Sequence, residues 1–170
     1  MKTVYEILRI KQVIKEVDGG EKFIVRSPED AAKIAAEFIG DENREVFFVM
    51  CLNTKNRVVA VHRCHVGGLN VSLVIPREVF KSAILNNSAS IIVSHQHPSQ
   101  DISPSREDLE VTKRLAECGK ILGIEVLDHV IVNAEAEYYS MKEKGINLEF
   151  IKEPMINTNS KTDDVILKAI

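Results

Sequence analysis

Tryptophan is absent from this 170-residue chain and aromatic residues make up only 5% of it. Because 45% of the residues are nevertheless apolar, a core of Val, Ile, Leu and Ala can still be buried. Cysteine is also scarce: Cys51, Cys64 and Cys118 are an odd number with no CxxC pair. That pattern excludes a disulfide framework and fits a reducing compartment. No apolar run approaches the roughly 20 residues that span a membrane, and the N-terminus lacks the apolar segment of a secretory signal. We therefore expect a cytoplasmic protein with no membrane partner.

The chain has no excess of basic charge either. It has 22 Lys and Arg against 25 Asp and Glu, a net charge of −3 and an isoelectric point near 6.0. Nothing in this balance supports nucleic acid as a partner, although a local basic patch would be compatible with it. The length corresponds to about one domain.

Hydrophobic periodicity predicts an α/β fold in which a mixed sheet is flanked by helices. Turn and cap residues separate the elements, for example Gly67-Gly68 and the Ser27-Pro28 start of a helix. The helices are predicted over 4–17, 27–39, 76–85 and 105–118, with Gly119 as the residue that ends the last one. The strands are predicted over 45–52, 57–66, 71–74, 90–94, 124–132 and 138–140.

Two histidines follow the apolar strand SIIVS. His95 and His97 are two residues apart, so in extended backbone their side chains point to the same face and can converge on one ion. Pro98 then prevents normal strand pairing. A single histidine at a strand end is usually structural, and that alternative remains open for each residue alone.

A carboxylate lies in the first turn of the next predicted helix. Helical side chains tilt towards the N-terminus, so Asp108 leans back towards the two histidines. Three protein ligands and one open position are typical of a catalytic zinc. Ser105 and Asp108 also form the capping-box pattern S-x-x-D, which explains both residues without a metal. Asp101 is a rival ligand in the loop between His97 and Ser105.

The segment SHQHPSQDISPSREDLEVTKRL resembles the JAMM signature H-x-H-P-x(6)-S-x(2)-D, in the form found in bacterial RadC-like proteins. The segments REVF, LNTKNRV, PREVFKSAI and GIEVLDHVIV extend the similarity over about residues 27–145. The resemblance implies a JAB/MPN fold, related to the cytidine-deaminase architecture. It also implies one Zn²⁺ per chain, held by His95, His97 and Asp108.

The same resemblance implies two catalytic residues. Glu45 would be the general base that moves a proton from water to the leaving amine, and Ser105 would hydrogen-bond the oxyanion. The alternative for Glu45 is a carboxylate at the start of a strand, paired with Arg44. RadC-like proteins usually have Asn and Gly where this chain has Gln96 and Gln100. Neither is a ligand, but losing a glycine can change the shape of the loop.

The resemblance divides the chain into a helical extension (1–26), a RadC-like JAB/MPN domain (27–149) and a tail (150–170). The residues before Ser27 are too few for the helix-hairpin-helix module of longer relatives, which weakens a DNA role.

Two further groups are better explained by structure than by catalysis. His62 and Cys64 share a face of their predicted strand, whereas His65 is expected to point away, so a second metal site is not favoured. Asp128 and His129 precede an apolar run, and we expect them to support the sheet or to hydrogen-bond a ligand from behind.

The leading hypothesis is a zinc-dependent hydrolase of the JAMM type, a metallopeptidase or isopeptidase acting on a peptide or protein. The alternative is a non-catalytic binding module associated with DNA repair or mobile elements. A zinc deaminase is disfavoured because the P-C-x-x-C half of its signature is missing. The sequence determines neither the substrate nor the oligomeric state, and a homodimer is compatible with it.

Overall fold

The computed structural model describes residues 4, 6, 7, 9–18, 23–67, 74–146 and 148. These residues contain three helices and five strands. The helices are α1 (Pro28–Ile39), α2 (Pro76–Leu85) and α3 (Arg106–Leu122). The strands are β1 (Val46–Leu52), β2 (Val58–Val66), β3 (Ser90–Gln96), β4 (Glu125–Val132) and β5 (Tyr138–Ser140).

The strands form one mixed sheet in the order β2-β1-β3-β4-β5. Only β3 and β4 are parallel, because α3 carries the chain back between them; the other neighbours are antiparallel. Every residue of β1 and β3 is buried, as the near-continuous apolar sequences VFFVMCL and SIIVS predict. The predicted α/β fold, a mixed sheet flanked by helices, is confirmed.

The two faces of the sheet are covered by different helices. On one face Phe48 and Met50 of β1 belong to the cluster that includes the buried side of α1. On the other face Phe47 and Val49 pack with residues of α2 and α3. His95 is the register partner of Phe47, so its side chain lies on the α3 face of the sheet.

Both long helices begin with a capping box. Ser27 starts α1 and Ser105 starts α3, and each exchanges hydrogen bonds with an aspartate three residues later. The predicted end of α3 is wrong by one turn. The helix continues to Leu122, and Gly123, with φ 69°, is the left-handed cap.

The N-terminal helix predicted over 4–17 is also wrong for the described residues, which have no helical hydrogen bonding and are exposed. An amphipathic pattern alone does not hold a helix whose apolar side chains stay largely exposed. Of the strand predicted over 71–74, only Val74 is described, and the tail over 150–170 lies outside the described residues. The three-part division of the chain remains a prediction. Among the described helices, none is long and apolar enough to cross a membrane.

Candidate metal centre

The end of β3 brings two imidazoles together. His95 is fully buried, and the His97 side chain, one residue past the strand, is 18% exposed. Their Nε2 atoms lie 3.1 Å apart. The alternation of side chains along β3 explains why residues i and i+2 meet on one side while Gln96 points elsewhere.

Asp108, in the first turn of α3, completes this cluster. Its Oδ1 lies 3.2 Å from Nε2 of His95, and its Oδ2 lies 3.5 Å from Nε2 of His97. The capping box with Ser105 is also present: Oδ2 accepts the Ser105 backbone N–H and hydroxyl, both at 2.7 Å. The two interpretations of Asp108 are therefore not alternatives, because the cap orients the carboxylate towards the histidines.

Glu45 approaches the same histidines from the start of β1. One oxygen of its carboxylate and one ring nitrogen each of His95 and His97 all lie within 4.8 Å of one another. Glu45, His95 and His97 thus form a group that could hold a metal ion. Two carboxylates, Glu45 and Asp108, flank the histidine pair. Asp108 lies 3.2 and 3.5 Å from the two histidines and is the better buried of the two carboxylates.

Gln96 fixes the backbone on both sides of Glu45. This fully buried side chain accepts the Val46 N–H at 2.9 Å and donates to the Arg44 carbonyl at 2.6 Å. It also donates to the carbonyl of Glu42 at 3.0 Å. In the sequence alone, Gln96 stands out only as a departure from the usual Asn. Its role depends on the β1–β3 register, which the sequence does not show.

A buried hydrogen-bond chain lies behind His95. His95 Nδ1 is 2.7 Å from His129 Nε2, and His129 Nδ1 is 2.5 Å from the Thr112 hydroxyl. That hydroxyl donates to the Asp108 carbonyl at 2.6 Å. His129 therefore contacts a candidate ligand from behind, one of the two roles expected for Asp128 and His129. Asp128 instead accepts from the Ser140 hydroxyl on β5.

The loop after His97 is also held in place. His97 Nδ1 lies 2.6 Å from the backbone carbonyl of Asp101. The Asp101 carboxylate accepts the N–H of Ser103, so this rival ligand participates through its backbone. Gln100 has φ 64°, the left-handed conformation that glycine adopts freely. Its side chain accepts the Ala134 N–H at 2.8 Å, so the loop tolerates the replacement of glycine by bonding to the β4–β5 turn.

The pKa shifts follow these contacts. Burial alone would raise the pKa of Asp108, but hydrogen bonds from His95, His97 and Ser105 outweigh it and hold the pKa far below its usual value. The hydrogen bond to Asp108 raises the pKa of His97, against the opposing effect of burial. Burial lowers the pKa of His129 well below its usual value, so that ring is neutral at physiological pH.

The donor set fits a divalent cation. A backbone carbonyl accepts only, so His97 carries a proton on Nδ1, and in the neutral ring its lone pair is on Nε2, facing the cluster. With both rings neutral, the two Nε2 atoms and the Asp108 carboxylate need a cation among them; in the absence of a metal ion, protons on Nε2 that are donated to Asp108 fill this role. Two imidazoles and a carboxylate are ligands that suit Zn²⁺. Glu45 lies beside this set.

Comparison with known sequences agrees with this architecture. The profile of the RadC-like JAB domain family matches residues 25–146. The chain belongs to this family.

The chain is also similar in sequence to curated proteins. A UPF0758 protein of Geobacillus sp. strain WCH70 is 52% identical over 132 residues, which cover 78% of this chain and 58% of the relative. A UPF0758 protein of Geobacillus thermodenitrificans is 47% identical over 138 residues, covering 81% and 61% respectively. One from Caldanaerobacter subterraneus is 52% identical over 126 residues, covering 74% and 54%. The matched region thus spans little more than half of these relatives, and their names state no activity.

Proposed function

We propose that this chain is a zinc-dependent hydrolase of amide bonds, a metallopeptidase or isopeptidase. His95, His97 and Asp108 would hold one Zn²⁺, Glu45 would be the general base and Ser105 would stabilise the oxyanion. The observation that carries the proposal is the convergence of two Nε2 atoms, 3.1 Å apart, on a carboxylate at 3.2 and 3.5 Å. A proteinaceous substrate and a cytoplasmic location belong to the same proposal.

When bound, Zn²⁺ supplies Lewis acidity that makes water acidic enough to become a nucleophile at neutral pH. The chain's own residues then handle the proton. Glu45, near both histidines, takes a proton from water and passes it to the amine that leaves. Gln96 holds the backbone of Arg44 and Val46, so the carboxylate between them stays aimed at the histidine pair.

Ser105 has a second task in this proposal. Its hydroxyl donates to Asp108 Oδ2, and it must turn away to donate to the oxyanion of the tetrahedral intermediate. Oδ2 keeps the backbone N–H of Ser105 when the hydroxyl turns. Asp108 therefore keeps one of its two bonds to Ser105 during the step.

Metal analysis and cleavage together test the proposal. After zinc-replete expression, we expect about one zinc per chain in wild type and in Glu45→Gln, and none in His95→Ala. With a quenched-fluorescence peptide library as probe, wild type should cleave. Glu45→Gln should cleave about 100-fold more slowly or worse, because a general base contributes at least that much.

The outcomes separate the parts of the proposal. Metal-free wild type would contradict the metal centre. Zinc-loaded wild type that cleaves none of the library would contradict amide hydrolysis while leaving the metal centre in place. Glu45→Gln with wild-type rates would contradict the role of Glu45 alone.

A further inference from the structure

The hydrogen-bond chain behind His95 has a direction that its members dictate. The Asp108 carbonyl can only accept, so the Thr112 hydroxyl donates its single proton to it. Towards His129 Nδ1 the same hydroxyl can only accept, which places a proton on that nitrogen. The neutral His129 ring then has its lone pair on Nε2, 2.7 Å from His95 Nδ1. His95 must donate from Nδ1, so in the neutral ring that would bind a metal ion its lone pair is on Nε2.

That lone pair points at the candidate ligand set. His95 Nε2 is the atom 3.1 Å from His97 Nε2 and 3.2 Å from Asp108 Oδ1. His95, Thr112 and His129 are all fully buried, so water does not offer an alternative partner. This row of hydrogen bonds begins and ends on candidate ligands. It connects His95 through His129 and Thr112 to the backbone of Asp108.

The fold explains how these residues meet. In the parallel pairing of β3 and β4, His129 lies opposite Val93, two residues before His95 on the same face. Thr112 lies one turn after Asp108 on α3. The members of the hydrogen-bond chain therefore come from three consecutive elements, β3, α3 and β4.

We propose that His129 and Thr112 are positioning residues that hold His95 in the tautomer with a free Nε2 and thereby set the metal affinity of the site. This inference rests on the proposed zinc centre. It assigns to His129 of β4 a role in metal binding in addition to packing. Partners behind a ligating histidine fix both its tautomer and its orientation.

Zinc affinity tests the inference without any substrate. Metal-free protein is titrated with Zn²⁺ against a competing chelator, and folding of each variant is checked by circular dichroism and thermal unfolding. We expect His129→Leu and Thr112→Val to weaken binding about 10–100-fold, as other partners of metal ligands do. Thr112→Ser keeps the hydroxyl, and His129→Gln keeps an acceptor for His95, so both should stay within a few-fold of wild type.

Ser94→Ala is the matched control. Ser94 is buried on β3 beside His95, and its hydroxyl donates across to the Val130 carbonyl of β4 and not to the ligand set. Its loss should lower stability and leave zinc affinity unchanged. If Ser94→Ala also lost zinc affinity, the losses in His129→Leu and Thr112→Val would reflect a loosened sheet and would contradict the inference.

The tautomers are also observable in wild type, which removes dependence on the folding of variants. Long-range ¹H–¹⁵N correlation spectra of the zinc-loaded protein should show protonated Nδ1 on both His95 and His129. A proton on His129 Nε2 would overturn the inference. So would zinc affinity equal to wild type in folded His129→Leu and Thr112→Val, while the proposed function would stand. Wild type without zinc affinity would contradict both.

Discussion

At the scale of single residues, the side chain between the two histidines illustrates how the site is held. Gln96 is buried at the end of β3 and reaches the segment that leads into β1, where it bonds to three backbone groups. Glu45 lies inside that segment. The candidate base is thus positioned by the neighbour of two candidate ligands.

Replacing Gln96 should loosen this segment. In Gln96→Ala the buried Val46 N–H loses its acceptor, and the free energy of unfolding should fall by about 1–3 kcal/mol. The free energy of unfolding of Gln96→Asn should lie between those of Gln96→Ala and wild type, because the amide is kept on a side chain that is one methylene shorter. Urea denaturation measures the change. Gln12→Ala, which removes an exposed glutamine, is the control and should have little effect. Equal stability of Gln96→Ala and wild type would contradict the role of Gln96 in holding this segment.

Cys64 offers a residue-scale prediction that is independent of metal. Burial raises the pKa of its thiol to about 11, so the thiolate is scarce at pH 8. Since the thiolate is the nucleophile, alkylation by iodoacetamide should be slower than for a cysteine in a short peptide. The rate should rise as pH approaches 11. Mass spectrometry of the Cys64 peptide measures it. Rapid alkylation at pH 8 would contradict a protonated thiol packed against the α2–α3 cluster.

Some of these residue roles were open to sequence reasoning and others were not. The His95 and His97 pairing follows from the two-residue period of a strand, and the tilt of Asp108 follows from helix geometry. The contacts of Gln96 and His129 depend on which strands are neighbours and in what register. An irregularity between Phe47 and Phe48 also places His65 opposite Phe47, against the expectation that it points away from the face of His62.

At the scale of elements, the capping boxes of α1 and α3 can be compared directly. Ser27 of α1 and Ser105 of α3 make the same reciprocal bonds to an aspartate, Asp30 or Asp108. Only the aspartate of α3 lies beside the histidines. The same local device therefore supports a helix start in one place and a helix start with a candidate ligand in the other.

Removing each cap should separate these roles. Ser27→Ala and Ser105→Ala should each lower the free energy of unfolding by about 0.5–2 kcal/mol. Zinc affinity should fall about tenfold in Ser105→Ala, because a donor that orients Asp108 is lost, and should not change in Ser27→Ala. Denaturation and zinc titration of the two variants provide the measurements. Equal zinc affinity in both would show that the cap does not orient the ligand.

The end of α3 gives a second pair for comparison. A Cβ at Gly119 would lie 2.5 Å from the Ile124 carbonyl oxygen, whereas one at Gly123 would meet nothing within 4 Å. Gly119→Ala should therefore cost about 3 kcal/mol through overpacking, because a backbone atom cannot rotate away. Gly123→Ala should cost only about 1–2 kcal/mol, for the left-handed conformation. Thermal or urea unfolding ranks the two. The reverse order would place the critical glycine at the cap.

These glycines also show why the boundary of α3 was mispredicted. Either glycine can end a helix, and periodicity does not distinguish a glycine needed for φ from one needed for space. The distinction depends on Ile124, which returns towards the helix at the start of β4. Starts were easier to predict than ends, because a capping box is local.

At the scale of the whole molecule, the sheet was predictable and the N-terminal segment was not. Five of the six predicted strands lie in the described sheet, because their apolar runs are short and bounded by turn residues. Val13 and Ile14 repeat at helical spacing with the rest of 4–17, yet they are largely exposed. A helix of that length needs a surface on which to pack.

The charge of the whole chain predicts weak affinity for nucleic acid. With a net charge of −3, we expect no binding of a labelled duplex in fluorescence anisotropy at about 50 mM salt. Binding that weakens with salt and survives in His95→Ala would favour the alternative function, a binding module independent of the metal centre.

The sources of the candidate ligands imply an order of events in the cell. The proposed ligands His95, His97 and Asp108 all lie within residues 95–108. Glu45 joins them only after β1 has paired with β3, and His129 contacts His95 only after the α3 crossover has brought β4 beside β3. The complete site therefore forms only in the folded chain. Maturation would then proceed by insertion of the ion into an already folded apoprotein, and a chelator should reverse that last step without unfolding the chain.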